Sequence, residues 1–302
     1  MASKSLHAPK SVVGLFGPTA SGKSAVAGIL RERLGAEVIS ADSAALYEGL
    51  PVITAAPSYP ARLVGVVPLS DDVSVGAYQR LAHAAIEETD VPLVVGGTGL
   101  YFRAALSSLE LPPPATPGRR LFWQDEYDRL GPEAAHAVLA EHDAAAATRV
   151  HANDRKRVVR ALELADAGHS LAPEHDRLWT EDTRLPTTII ALDLAVEELD
   201  RRIDARTRAM AEAGAVEEAR AAWAQPLSDT ASKVLGLEQF ATLPEDEAIV
   251  AVTRATRRLA RYQRKWLRKM PGVVRLDGNR PAAEVADEII ALGRERQHLS
   301  GH

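Results

Sequence analysis

The chain has 302 residues, enough for one large domain or a main domain carrying a smaller insert, since domains run to roughly 100–200 residues. Its 46% hydrophobic and 25% charged content is that of a globular chain, and the absence of cysteine excludes disulfides, thiolate catalysis and Cys-ligated zinc or iron–sulfur sites. The net charge of −5 argues against a chain that is cationic as a whole, although a local basic face can still hold a polyanion. Met1 to Lys10 carries two lysines and no apolar run long enough for a secretion signal, and no stretch of about 18 apolar residues follows. A soluble cytoplasmic protein with no membrane association is expected.

In chain order, Ser11 to Phe16 (SVVGLF) reads as a short buried strand that stops at Gly17-Pro18. Ser21 to Leu34 places Ala25, Val26, Ile29, Leu30 and Leu34 on one face of a helix. Ala36 to Ser40 and Pro92 to Val95 are the next strands, with a helical pattern at Val75 to Glu88 between them, an alternation that implies a parallel sheet with right-handed crossovers. Leu111 to Gly118 (LPPPATPG) continues neither a helix nor a central strand, because proline lacks the donor hydrogen and fixes φ, so a domain junction is placed there. Leu121 to Gly168, rich in Ala, Arg and Glu, reads as a helical insert, after which the strand Thr187 to Leu192 returns to the sheet. From Val196 the pattern is helical again, with an Arg-rich helix at Ile249 to Lys269 and a short strand near Val273 to Leu276.

Gly17-Pro18-Thr19-Ala20-Ser21-Gly22-Lys23-Ser24 satisfies G-x-x-x-x-G-K-[ST] between a strand and a helix, where a phosphate-binding loop belongs. Its glycines let backbone N–H groups turn toward an anion, the helix N-terminus adds partial positive charge, Lys23 supplies a point charge and Ser24 a ligand for Mg2+. The expected fold is therefore an α/β P-loop NTPase-like parallel sheet flanked by helices, residues 10–117 and 179–295, interrupted by a helical insertion domain at 118–178. The loop alone does not say whether it holds a nucleoside triphosphate or another activated diphosphate.

Asp42 follows the second strand at the edge of the sheet where such folds place ligands, and can act as general base or through a metal; its structural role would be to cap Ala44 to Glu48. Gly96-Gly97-Thr98-Gly99 follows the third strand and leaves the Thr98 hydroxyl open to the same crevice.

Taken together, GPTASGKS, SADSAALYEGL, VVGGTGLYFRAAL, LPPPATP, RVHANDRKRVVRALEL, GAVEEARA and RRLARYQRKWLR occur in the order found in the tRNA dimethylallyltransferases, and the chain resembles that family from Val12 to Leu276. The resemblance implies transfer of a dimethylallyl group from dimethylallyl pyrophosphate to N6 of the adenosine 3′ of the tRNA anticodon. Gly17 to Ser24 would hold the pyrophosphate with Mg2+, Asp42 would accept the N6 proton, Thr98 would steady the bridging oxygen and Arg220 would neutralise the leaving group. The target base has to leave its stack, so Ser43, Tyr47 and Tyr101 are assigned to its reception.

The insert would close on the anticodon stem-loop, with Arg155 and Arg157 along the phosphates. The later helix carries Arg254, Arg257, Arg258, Arg261, Arg264, Lys265, Arg268 and Lys269 with no acid between them, a like-charge crowding that predicts an RNA backbone as partner, with Arg257, Arg261 and Arg264 in contact. A monomer is expected. The chain departs from the family pattern at Ala56, where a lysine is usual, across Ser58 to Ser70, and at Leu237-Glu238. Other readings of the same residues are a P-loop small-molecule or nucleotide kinase binding ATP, prenylation of a free adenine nucleotide, and an RNA-binding protein without turnover.

Overall fold

The computed structural model describes residues 10–114 and 118–295; the lysine-bearing start and part of the junction Leu111 to Gly118 lie outside the described residues. Strand β1 (Val12–Phe16) leads into helix α1 (Lys23–Leu34), then β2 (Glu37–Ser40), β3 (Ala61–Arg62), α2 (Val75–Glu88), β4 (Pro92–Gly96) and α3 (Gly99–Leu106). Four helices follow, α4 (Arg119–Leu130), α5 (Pro132–His142), α6 (Ala144–Ala147) and α7 (Arg155–Asp166). Strand β5 (Thr187–Asp193), helices α8 (Val196–Glu212), α9 (Ala215–Trp223), α10 (Leu237–Thr242) and α11 (Glu245–Lys269), strand β6 (Val274–Asp277) and α12 (Ala282–Glu295) complete the order.

The six strands form one parallel sheet in the order β3-β2-β4-β1-β5-β6. Strand β1 sits centrally, with Gly14 opposite Val94 on one side and Ile189 on the other, and all five of its residues are buried. Helix cover on both faces explains why β1 and β4 read as continuous apolar runs rather than alternating ones. Leu15, Leu30, Val38, Leu93, Ile190 and Ile289 form the core on one face. A second core packs the loop after β2, through Tyr47, Leu50 and Ile53, against Ala219, Phe240 and Val252 of α9 to α11.

The described residues fall into two compact units, 10–108 with 178–295, and 109–177. The second unit starts at Leu109, ahead of the proline-rich junction, and Glu110 explains why: its carboxylate accepts the backbone N–H of His175 at 3.2 Å, tying the two ends of the unit together. Inside it, α4 to α7 surround Trp123, Tyr127, Leu139, Val158 and Leu162; the Trp123 indole donates to Asp166 at 2.7 Å, and the Tyr127 hydroxyl to the Ala152 carbonyl at 2.7 Å.

Three local readings need correction. The helix expected from Ser21 begins at Lys23, because Gly22 takes φ 93 and closes the phosphate loop first. The segment Ala44 to Glu48 is turn rather than helix, with Tyr47 bridging to Val67, and the Arg-rich helix runs from Glu245, four residues ahead of Ile249.

Candidate functional site

The loop Gly17 to Gly22 lies between β1 and α1, and its shape depends on residues far away in the chain. The Thr19 amide donates to the Gln263 side-chain carbonyl at 2.8 Å, and the Thr19 hydroxyl accepts from Arg206 at 2.8 Å. Lys23 reaches back to the Pro18 carbonyl at 2.7 Å. Burial and the neighbouring Arg206 guanidinium push the Lys23 ammonium down to about 7, against the opposing pull of Asp42. Ala20 adopts φ 62 and packs beside Leu199, Ile203 and Ala260, while Ser21 is fully buried, so both shape the loop rather than face a ligand. Thr19, Lys23 and Ser24 are the loop residues that line a cavity.

Asp42 projects from the end of β2, with one carboxylate oxygen accepting the Ala44 amide at 3.0 Å and fixing its direction. Three chambers adjoin there. The first, about 510 Å³, is walled by Tyr47, Tyr101, Tyr262, Trp266, Leu235 and Leu259. The second, about 90 Å³, carries the cations Lys23 and Arg206 with the hydroxyls of Ser24, Ser40 and Thr54. The third, about 70 Å³, is lined largely by carbon, from Ile53, Met210, Phe240 and Val252. Asp42 and Gln263 are the two residues that line all three.

The glycines after β4 permit this convergence. A Cβ on Gly97 would come within 2.8 Å of the Gly17 carbonyl and 2.5 Å of the Gln263 amide, and one on Gly99 within 2.1 Å of the Trp266 ring. Thr98 stands at the N-terminus of α3 and faces the large chamber, its hydroxyl 3.4 Å from the Ser43 amide. Tyr47 hydrogen-bonds Thr230, and Tyr101 stacks at 4.5 Å on buried Tyr78. Burial, then Tyr47 and Asp42, raise the Tyr101 hydroxyl to about 12, so it stays a neutral donor. Trp266 is itself backed by Trp179, ring centres 4.7 Å apart.

The structure therefore brings Thr19, Lys23, Ser24, Asp42, Ser43, Tyr47, Thr98 and Tyr101 together. Arg220 is a correction. It is exposed on α9 and lines none of these chambers; the arginine at the cradle is Arg206, one helix earlier, which burial pushes below its ordinary range. A further correction concerns the basic helix, whose crowding is relieved inside the protein. Arg257 pairs with Asp204 at 2.6 Å, Arg261 with Asp200 at 3.3 Å and Arg264 with Asp193 at 3.1 Å. Arg254, Arg258, Arg261, Lys265, Arg268 and Lys269 are the exposed cations of that helix, Arg261 with its ion pair to Asp200 at the surface. In the second unit Arg155 is likewise engaged, both nitrogens on Asp128 at 2.7 and 2.5 Å, and Arg157 lies 3.5 Å from Asp154 with two-thirds of its side chain exposed.

Sequence reasoning missed Gln263, Arg206, Trp266 and Tyr262. Gln263 left a signal: α11 buries Ala248, Val252, Thr256, Ala260, Gln263 and Leu267 at helical spacing, and an amide in an otherwise small and apolar stripe needs a partner. Arg206 left none, being one of several arginines in α8. Of the departures, Ala56 lines the cationic chamber, where Lys23 and Arg206 are the cations, while Leu237 is buried and Glu238 exposed outside the chambers. Among the described residues no group of three or more His, Cys, Asp or Glu is placed to hold a metal on protein ligands alone, and no helix is long and apolar enough to cross a membrane.

The family model described as IPP transferase matches residues 45–270. The chain is 40% identical over 278 residues to a tRNA dimethylallyltransferase of Anaeromyxobacter dehalogenans, covering 87% of this chain and 91% of that one. It is 40% identical to one of Kineococcus radiotolerans, covering 93% and 96%. Among solved structures, the full-length tRNA isopentenylpyrophosphate transferase of Bacillus halodurans superimposes with a TM-score of 0.66 at 28% identity, over 97% of this chain and 100% of that one. A eukaryotic dimethylallyltransferase acting on tRNA shares the fold, with a TM-score of 0.77 at 23% identity over 95% and 80%.

Proposed function

The chain belongs to the IPP transferase family, and we propose that it transfers a dimethylallyl group from dimethylallyl pyrophosphate to N6 of the adenosine 3′ of the anticodon in tRNA. The observation that carries this reading is the meeting of three unlike chambers at Asp42 and Gln263. A cationic chamber suits a diphosphate, a small carbon-lined one a short alkyl chain, and a large aromatic one a purine turned out of its stack. A carboxylate at their junction is within reach of an exocyclic amine.

The reaction needs few groups. The bond between C1 of the prenyl group and the bridging oxygen breaks, the bond from C1 to N6 forms, the diphosphate leaves with the electron pair, and the N6 proton passes to the Asp42 carboxylate. Lys23 and Arg206 hold the charge that develops on the leaving group. Gln263 and Arg206 together fix Thr19, and so the loop, before substrate arrives. The oxygen donors beside Lys23, with the Ser24 hydroxyl foremost, suit Mg2+, which when bound supplies further neutralisation of the diphosphate. On the tRNA side the exposed cations of α11, Arg258 and Lys265 among them, take the place of the ion-paired arginines as contacts to the phosphate backbone.

The test is incubation with unmodified tRNA and isotopically labelled dimethylallyl pyrophosphate, followed by nucleoside mass spectrometry. Labelled N6-dimethylallyladenosine is expected next to the anticodon. Asp42→Asn should slow its formation by roughly 10²–10⁴-fold while tRNA binding persists. Full activity in that variant would remove the assigned base.

A further inference from the structure

Granting the prenyl transfer proposed above, we infer that Asp72 and Thr230 fix the Tyr47 hydroxyl so that it shows the large chamber an acceptor and no hydrogen, and that this one-way relay admits a base with an exocyclic amine and rejects a 6-oxo purine. The three residues come from separate parts of the chain: Tyr47 from the turn after β2, Asp72 from the loop ahead of α2, and Thr230 from the loop between α9 and α10. The last two loops are tied together by the Ser228 amide, which donates to the Leu69 carbonyl at 2.8 Å.

A count of hydrogens sets the direction of the relay. A threonine hydroxyl has one hydrogen to give and two lone pairs to receive with. The Thr230 hydrogen goes to Asp72 Oδ1 at 2.8 Å, and the same carboxylate oxygen accepts the Thr230 amide at 2.9 Å. Although burial pulls the other way, the Thr230 hydroxyl and amide, the Lys233 ammonium and the Ser228 hydroxyl hold the Asp72 carboxyl below the usual carboxylate range, so it stays ionised and only accepts. The Thr230 oxygen receives the Val73 amide at 3.3 Å, which leaves one lone pair for Tyr47. The Ser228 hydroxyl, 3.5 Å away, is drawn to the same carboxylate. The phenol must therefore donate.

The Tyr47 ring cannot swing to undo this, because it is buried among Leu50, Ala219 and Phe240 in close-packed core. Tyr47 and Thr230 both line the large chamber, so the bond between them lies in its wall and the lone pairs left on the phenol oxygen face the base. An adenine N6 carries two hydrogens, one for the Asp42 carboxylate that takes it in the reaction and one for Tyr47. A carbonyl oxygen in that place sets lone pair against lone pair at both. Tyr47 touches the base, whereas Asp72 and Thr230 act through it and are positioning residues.

The experiment uses the full chain with Mg2+ and inorganic pyrophosphate. It compares anticodon stem-loops carrying adenosine or inosine at the target position by competition binding, and then measures transfer from dimethylallyl pyrophosphate to the adenosine stem-loop. Wild type is expected to favour adenosine by at least about tenfold in binding. Thr230→Val keeps the shape but frees the phenol hydrogen to turn into the chamber, and should narrow that ratio at least about threefold by a gain on inosine. Thr230→Ser should keep the wild-type ratio, which a merely structural role would not predict, and Tyr47→Phe should narrow it by a loss on adenosine. Asp72→Ala should narrow it as Thr230→Val does. Asp72→Asn should not, because the Thr230 amide, which only donates, keeps the amide oxygen of the new side chain turned toward it. Equal binding of both stem-loops to wild type, or an unchanged ratio in a Thr230→Val protein of native melting behaviour, overturns the relay. An unchanged ratio in Asp72→Ala overturns the part given to Asp72. Selective binding of the adenosine stem-loop with no dimethylallyl group transferred leaves the relay standing and refutes the transfer reading instead.

Discussion

Lys23 is placed to be costly in the absence of an anion, and that cost can be measured. Burial and Arg206 lower it from 10.5 to about 7, a displacement whose ceiling is about 5 kcal/mol at 1.36 kcal/mol per pH unit. The side chain is only partly buried, so solvent relaxation leaves an expected cost of about 1–2 kcal/mol. The sign follows from proton binding. Between pH 7 and 10.5 the unfolded chain holds the Lys23 proton while the folded one has released it, so stability rises with pH through that window. Below about pH 7 both states are protonated and the folded state carries the full penalty. Lys23→Met should therefore melt about 2–8 °C higher than wild type at pH 6, and the gap should shrink as pH rises toward 10.5. Inorganic pyrophosphate with Mg2+ should reverse the order, because the anion restores the ammonium in wild type and finds no partner in the variant. Scanning fluorimetry across pH reads all of this. A variant that melts below wild type at pH 6 without ligand, or a gap that does not change with pH, would refute the reasoning.

Gly99→Ala drives a methyl group into the Trp266 ring, 2.1 Å from the built Cβ, and should lower kcat/KM for tRNA at least about tenfold with little loss of fold, as steady-state kinetics and circular dichroism would report. Gln263→Leu leaves the Thr19 amide without its acceptor and should cost about 1–3 kcal/mol in urea denaturation, together with weaker pyrophosphate binding. Arg258→Glu with Lys265→Glu should weaken tRNA binding and flatten the dependence of log Kd on log salt by about one per lost phosphate contact. Arg257→Ala should instead lower the melting temperature and leave that slope alone, since its guanidinium is held by Asp204.

The residues that resisted reading are those recruited over long separations. Gln263 meets Thr19 across 244 positions, Arg206 meets it across 187, and Glu218 reaches Val52 across 166. Each is chemically ordinary in its own helix and gains a role only through what the fold sets beside it. The arginines of α11 show the converse: read along the helix they crowd one another, yet acids from α8 and β5 neutralise three of them. Strand β3 has two residues and gives no periodicity to detect, while α3 starts in a glycine-rich turn that reads locally as loop.

By itself the sequence determined the parallel sheet, the phosphate loop and the places of Asp42 and Thr98, because strand runs, helix periodicity and glycine spacing are properties of neighbouring residues and need no partner to be recognised. The tertiary structure alone decided which arginine lines the cationic chamber, which charges of α11 are paired within the protein, and which side chains wall the three chambers. Those depend on side chains brought together from distant helices, and a charge or a cavity wall has no meaning until its neighbours are in place.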